Sequence, residues 1–283
     1  RLRADVWVLC DGPVHQSGRP QVVFGVRGIA DVEITGFGAA GDLHSGHYGN
    51  WAPIPAALLA DLVAGMRAEY GVPTLDGLEI PAPGDAALAA AAAVPDPGGL
   101  GFPAPAGPSV WERNLRPLLN VRGLRSGDVG GSARNVVPRS AEASLDLRLP
   151  AGVSPVLMIE AIREHVAARG FHLVDEAPDA ATREQHRRIA RVRGSASYPG
   201  VQTDPDHPAA VPVLGAVEAA AGEAPIVVPS FGSSVPLHHF QTLGAPALIV
   251  PMANHDSNQH APDENLKVAN LWYGIDLVAA LLG

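Results

Sequence analysis

Between Ser140 and Pro150 apolar and polar residues alternate without a break. Ala141, Ala143, Leu145, Leu147 and Leu149 take one side; Glu142, Ser144, Asp146 and Arg148 take the other. Strand side chains point to opposite faces with period two, so this stretch predicts a strand with one buried and one wet face. Ala30, Val32 and Ile34 alternate with Asp31, Glu33 and Thr35 in the same way. Such strands need a layer over their apolar face, and helical spacing supplies it twice. Leu58, Leu59, Leu62, Val63 and Met66 mark one helix, which Gly71 can end. Ser154-Pro155 opens another, with Ile159, Ile162 and Val166 as its buried stripe and Gly170 as its end. Residues 118–121 and 171–174 read as further strands. The order strand, helix, strands, helix, strand predicts a sheet with two helices on one face, as in ferredoxin-like folds.

A second kind of strand flanks this unit. Val6–Cys10, Ile226–Val228 and Ala247–Val250 are continuous apolar runs, the pattern of central strands buried on both faces. Each stops in a polar loop: Asp11-Gly12-Pro13, Ser230–Pro236 and Asn254–His260. In one parallel sheet all three loops would meet at one edge, where open α/β sheets bind ligands. Residues 208–221 read as a helix, and Ala261-Pro262-Asp263-Glu264 as the start of the last one. Residues 72–109, rich in Pro, Gly and Ala, read as a loop-rich insertion with a short helix. Residues 175–205 read as an irregular return linker. The expected organisation is an α/β domain from residues 1–27 and 207–283, interrupted by an α+β lid over 28–206.

Composition narrows the function classes. With 283 residues, 47% of them hydrophobic, the chain can bury a sizeable core. A formal net charge of -9 without a Lys/Arg cluster argues against nucleic acid as a partner. The single cysteine, Cys10, rules out an internal disulfide and a cysteine-based zinc site. No apolar run approaches a membrane span, and with no signal-peptide pattern a cytoplasmic location is expected.

The chemistry-bearing residues sit in loops. Asp42-Leu43-His44-Ser45-Gly46-His47-Tyr48-Gly49-Asn50 lies between a strand-like run and a helical run, so its imidazoles can be presented from a turn. Asp11 with His255 and His260 offers carboxylate and imidazole donors without cysteine, the ligand chemistry of catalytic zinc. His255 is open to three roles: ligand, support for a ligand, or plain loop residue. Arg148 on its wet face reads as a solvated charge or a carboxylate binder.

Several of these segments together resemble the carnosinase, aminoacylase and succinyl-diaminopimelate desuccinylase superfamily of dinuclear zinc hydrolases. They are Asp11 with Pro20 and Arg27-Gly28, the Asp42–Gly49 run, Asn135-Val136-Val137-Pro138 with Leu147-Arg148-Leu149-Pro150, Gly232-Ser233-Ser234-Val235-Pro236, and His260-Ala261-Pro262-Asp263-Glu264-Asn265. The resemblance implies a partial catalytic α/β domain with an inserted ferredoxin-like lid and dimerisation domain. It implies two zinc ions, with manganese or cobalt as substitutes, and places Asp11 and His260 on one ion each. It implies that His44 reaches from one subunit's lid into the other's active site. It implies that Arg148, Asn135, Gly232, Ser233 and Ser234 hold the substrate, a dipeptide or N-acyl amino acid, in a homodimer. The family's His-x-Asp motif and Glu-Glu pair are absent from these 283 residues, so the expectation is an incomplete and inactive site. Ser233 stands where relatives usually carry a second Gly, and Cys10 replaces a common Ser. A non-catalytic dimerisation or ligand-binding module, and a mononuclear zinc site of Asp11, His255 and His260, are the alternatives.

Overall fold

The structure is a computed structural model that describes residues 4–98 and 101–283. In chain order the strands are β1 (Trp7–Leu9), β2 (Gln21–Val23), β3 (Gly25–Val26), β4 (Gly28–Phe37), β5 (Leu43–His44), β6 (Leu118–Arg125), β7 (Val136–Val137), β8 (Ser140–Leu149), β9 (His172–Leu173), β10 (Ile189–Tyr198), β11 (Val201–Gln202), β12 (Ile226–Val228) and β13 (Ala247–Ile249). The helices are α1 (Ser45–Tyr48), α2 (Pro55–Ala64), α3 (Asp85–Ala93), α4 (Val110–Asn114), α5 (Pro155–Ala168), α6 (Ala180–Gln185), α7 (Ala210–Ala221), α8 (His238–Gln241) and α9 (Val268–Leu282).

The larger sheet has the order β6-β8-β4-β10-β9, and β4 pairs along its whole length with β8. Burial along β8 alternates residue by residue, as its sequence dictates. Helices α2 and α5 cover the apolar face, and Val32, Ile34, Leu59, Leu62, Leu145, Leu147, Met158 and Ile162 share one core. Ser154 caps α5 by accepting from the Leu157 amide, as expected. Helix α2 ends earlier than expected, at Ala64 with Gly65 as its cap, and Met66 packs from the following loop.

The expected linker over 175–205 is instead helix α6 and the ten-residue strand β10, antiparallel to β4. It is the fourth strand of the ferredoxin-like arrangement; the expected strand at 171–174 is only the two-residue β9, added parallel to the start of β10. Only Ile189, Ala190 and Val192 of β10 are buried. Its remaining residues are two arginines and the run Gly194–Tyr198, in which no apolar alternation shows.

The smaller sheet runs β1-β13-β2-β12. Two expectations fail here. β1 is an edge strand, half-buried rather than central. The sheet is also mixed: β1 and β13 are parallel, but β2 is antiparallel to β13 and β12 follows β2. A three-residue apolar run carries burial but no direction, so its sequence could not exclude this. Helices α7 and α9 pack on one face, around Val213, Val217, Leu248 and Leu277.

The two sheets meet where the chain crosses between them, with backbone against backbone. A Cβ on Gly28 would lie 2.5 Å from the Gly200 nitrogen, and one on Gly200 would lie 2.6 Å from the Leu149 oxygen. Only glycine fits such a crossing.

Candidate active site

The loops after β1 and β13 leave the same end of the smaller sheet and are zipped together. Pro13 bridges Ala253, the Ala253 amide donates to the Gly12 carbonyl at 3.3 Å, and the Val14 amide donates to the Ala253 carbonyl at 2.8 Å. Asp11 and His260 therefore lie in neighbouring loops, both exposed. The expected helix start at Pro262 does not form. Asp263 is left-handed at φ 63°, as are His260 at 61° and Asn258 at 58°, and α9 begins at Val268. Buried Asn254 organises this loop instead. Its Oδ1 accepts from the Lys267 amide at 2.8 Å, and its Nδ2 donates to Asp256 at 2.8 Å. Lys267 Nζ closes the loop on Asp256 Oδ2 at 2.8 Å. These bonds, led by that from Lys267, pull the Asp256 carboxyl down to about 2.

Because β12 runs against β13, its loop leaves at the other end of the sheet. It folds back: a Cβ on Gly12 would lie 3.3 Å from the Phe231 ring. A cavity of about 330 Å³ beside it is lined by Pro13, Gly232, Ser233, His255 and Gln259, among others.

Gly232, Ser233 and Ser234 are gripped from the lid side. Arg148 Nη1 donates to Ser234 Oγ at 3.1 Å, and Arg148 Nε pairs with Asp146 Oδ1 at 3.1 Å. Arg148 is thus a half-buried, partnered guanidinium and not a solvated charge. Arg27 donates from Nε and Nη2 to the Gly232 carbonyl at 3.1 and 3.0 Å, and its amide donates to the Ser233 carbonyl at 3.3 Å. Burial, with Arg148 nearby, pushes Arg27 down to about 10, partly offset by Asp146. Sequence reasoning missed Arg27 and Asp146. Asp146 was findable: it shares the wet face of β8 with Arg148 at a spacing of two.

His44 and Asn135 form a separate cluster. β5 pairs with β7, setting His44 opposite Val136, and the Ser45 amide donates to the Asn135 carbonyl at 3.0 Å. Asn135 enters through its backbone. His44 Nδ1 accepts from the Gly46 amide at 3.1 Å, so in the neutral ring the proton lies on Nε2, which is left as a donor, and the ring packs 4.5 Å from that of His47. Asp42 Oδ1 accepts from the Arg139 amide at 3.1 Å and fixes this turn to the start of β8. Arg148 lies at the other end of β8, about 27 Å from Ser140 at the rise of a strand. Hence one chain does not bring His44 to Arg148.

Asp11 and His260 suit divalent metal in chemistry, one carboxylate and one imidazole. Among the described residues no three His, Cys, Asp or Glu side chains converge as a metal site. The alternative mononuclear set of Asp11, His255 and His260 is therefore not assembled, and two donors fit only as a share of a larger ligand set.

The profile of the M20 peptidase dimerisation domain matches residues 24–173, more than half of the chain. The chain belongs to the M20 peptidase family. It is 29% identical over 280 residues to the cysteinylglycine-S-conjugate dipeptidase of Corynebacterium striatum, covering 93% of this chain and 56% of that protein. It superposes on the M20 family metallo-carboxypeptidase Sso-CP2 of Sulfolobus solfataricus with a TM-score of 0.82 at 22% identity, covering 99% of this chain and 63% of that one. For the dipeptidase Dug1p of Saccharomyces cerevisiae the TM-score is 0.74 at 18% identity, with coverage of 98% and 58%. For human carnosine dipeptidase 1 it is 0.70 at 17% identity, with coverage of 97% and 57%. The shared fold is α/β with a lid. The chain spans a little over half the length of the curated relative it matches. Among the described residues no helix is long and apolar enough to cross a membrane.

Proposed function

We propose that this chain supplies the lid and part of the catalytic domain of a zinc-dependent hydrolase that cleaves the amide bond of a dipeptide or N-acyl amino acid. Residues 1–27 and 207–283 belong to the catalytic domain and 28–206 to the lid. The observation that carries the reading is the grip of Arg148 on Ser234, which joins two segments predicted to hold substrate across 86 positions. A guanidinium matches a carboxylate in shape and charge, so Arg148, with Ser234 and the Gly232-Ser233 backbone, takes the substrate carboxylate.

Asp11 and His260 each hold one of two zinc ions, with manganese or cobalt as substitutes. When bound, the ions polarise the scissile carbonyl and make water acidic. His44 donates from Nε2 to the developing oxyanion, a role a preorganised donor performs well. Its distance from Arg148 along β8 supports delivery from a second copy, hence a homodimer through the lid.

The remaining ligands and the general base come from outside these residues, and the 283 residues alone are inactive. The apolar surface supports this. Val6 and Val8, at the edge of the smaller sheet, are only half-buried, while Ile226 and Ile249 are buried. Helix α9 instead exposes Val268, Leu271, Trp272, Ile275 and Leu282, a stripe suited to covering.

The test is a substrate panel on the longest protein that carries this chain. Dipeptides with a free carboxylate should be cleaved with a much lower KM than their amidated forms. Equal rates on both would remove Arg148 from the site. A non-catalytic dimerisation module is the second reading, favoured by the self-contained core of the lid. Zinc-independent ligand binding without turnover would select it.

A further inference from the structure

We propose that Arg27 is a positioning residue, a latch that fixes the Gly232 carbonyl so that Ser233 and Ser234 face the substrate beside Arg148. The proposal rests on the hydrolase reading above and deepens it. Arg27 is only 8% exposed, and among the described residues its side-chain hydrogen bonds go to that one carbonyl. The carboxylate nearby, Asp146, is bonded to Arg148 instead. A buried guanidinium without a carboxylate of its own is costly, and an apolar side chain of that size would pack more cheaply. What the arginine gains is a fixed loop with no room for a side chain at Gly232, where a Cβ would meet Asn114 Nδ2 at 3.2 Å and Arg27 Nη2 at 3.4 Å. Val26 bridges Phe231, and the Phe231 amide donates to the Gly25 carbonyl at 2.9 Å. Arg27 immediately precedes Gly28, the first residue of β4, where backbones cross with no room for a side chain. The latch therefore ties the loop after β12 to the entry of the lid.

The test uses Arg27→Met and Arg27→Lys in the full 283-residue chain, with amide hydrogen exchange read by segment. Exchange over residues 231–236 should rise about tenfold or more in both variants, because lysine keeps the charge but loses the fork. The rest of the chain should be unchanged. Unchanged loop exchange, a rise spread evenly over the chain, or full rescue by lysine would overturn the latch. If Arg27→Met does not fold, Arg27→Lys decides by the same criteria. In protein with turnover, Arg27→Lys should raise KM for a free-carboxylate dipeptide about tenfold and leave kcat within about threefold, the weight of one bond to a charged group. A fall in kcat at constant KM would count against the latch. Absence of dipeptide hydrolysis by the longest protein that carries this chain would remove the hydrolase reading, and the exchange result would still decide the latch.

Discussion

Arg148 Nη1 donates to Ser234 Oγ over 3.1 Å, joining the lid sheet to the loop that follows β12. Asp146 holds the other side of the same guanidinium at 3.1 Å. Arg148→Lys keeps the charge and loses this double geometry. KM for free-carboxylate substrates should rise about tenfold, and amidated analogues should be unaffected, the split expected for a lost bidentate contact. Steady-state kinetics on matched substrate pairs checks it. Equal losses on both would make Arg148 structural.

His44 lies on a turn fixed by Gly46 and Asn135, outside the sheet whose loops carry Asp11 and His260. His44→Ala should cost about 10²–10³ in kcat, the weight of one oxyanion donor, and leave metal content unchanged. Metal analysis beside kinetics separates the roles. Parallel loss of zinc and turnover would make His44 a ligand.

The crossing between the sheets tolerates no side chain. Gly200→Ala puts a Cβ 2.6 Å from the Leu149 oxygen. The expected loss is about 1–3 kcal/mol, typical of overpacking. Gly215→Ala is the control. It is exposed in helix α7 with nothing within 4 Å of its Cβ position, and should gain about 0.5–1 kcal/mol from helix propensity. Denaturant unfolding of both variants measures the pair, and equal effects would contradict the packing described at the crossing.

Much of this fold is legible in the sequence, because β4 and β8 carry a strict two-residue period and Ser154-Pro155 a helix start. β10 is not, since its outward positions include Arg191 and Arg193 and its second half is polar. The start of α9 is hidden because Pro262 and the acids beside it imitate a helix entry. The loop is closed by Asn254 reaching Lys267, thirteen positions on, a contact no local pattern carries. The candidate site is legible as loop residues, but not its supports. Arg27 shows in the sequence only as part of the Arg27-Gly28 pair, and only the three-dimensional path of the loop after β12 reveals its partner.

The Asp256 carboxyl is held down to about 2 by Lys267 first and Asn254 second. Its folded value lies below the ordinary carboxylate range, so its contribution is complete above about pH 4. It is lost as the pH falls through about 2. The loop carrying His260 should therefore stay closed at pH 4 and open only in stronger acid. Carboxyl titration by NMR, with exchange at the Lys267 amide, checks it. A titration midpoint near 4 would show that the pairing is absent in solution.

The central claim is that these residues carry one donor to each of two zinc ions and close neither site. Purified residues 1–283 should be equilibrated with zinc, and bound metal per chain measured beside hydrolysis of a dipeptide panel. No tightly held pair of ions and no turnover are expected. Two zinc ions held tightly per chain with steady hydrolysis would contradict the claim.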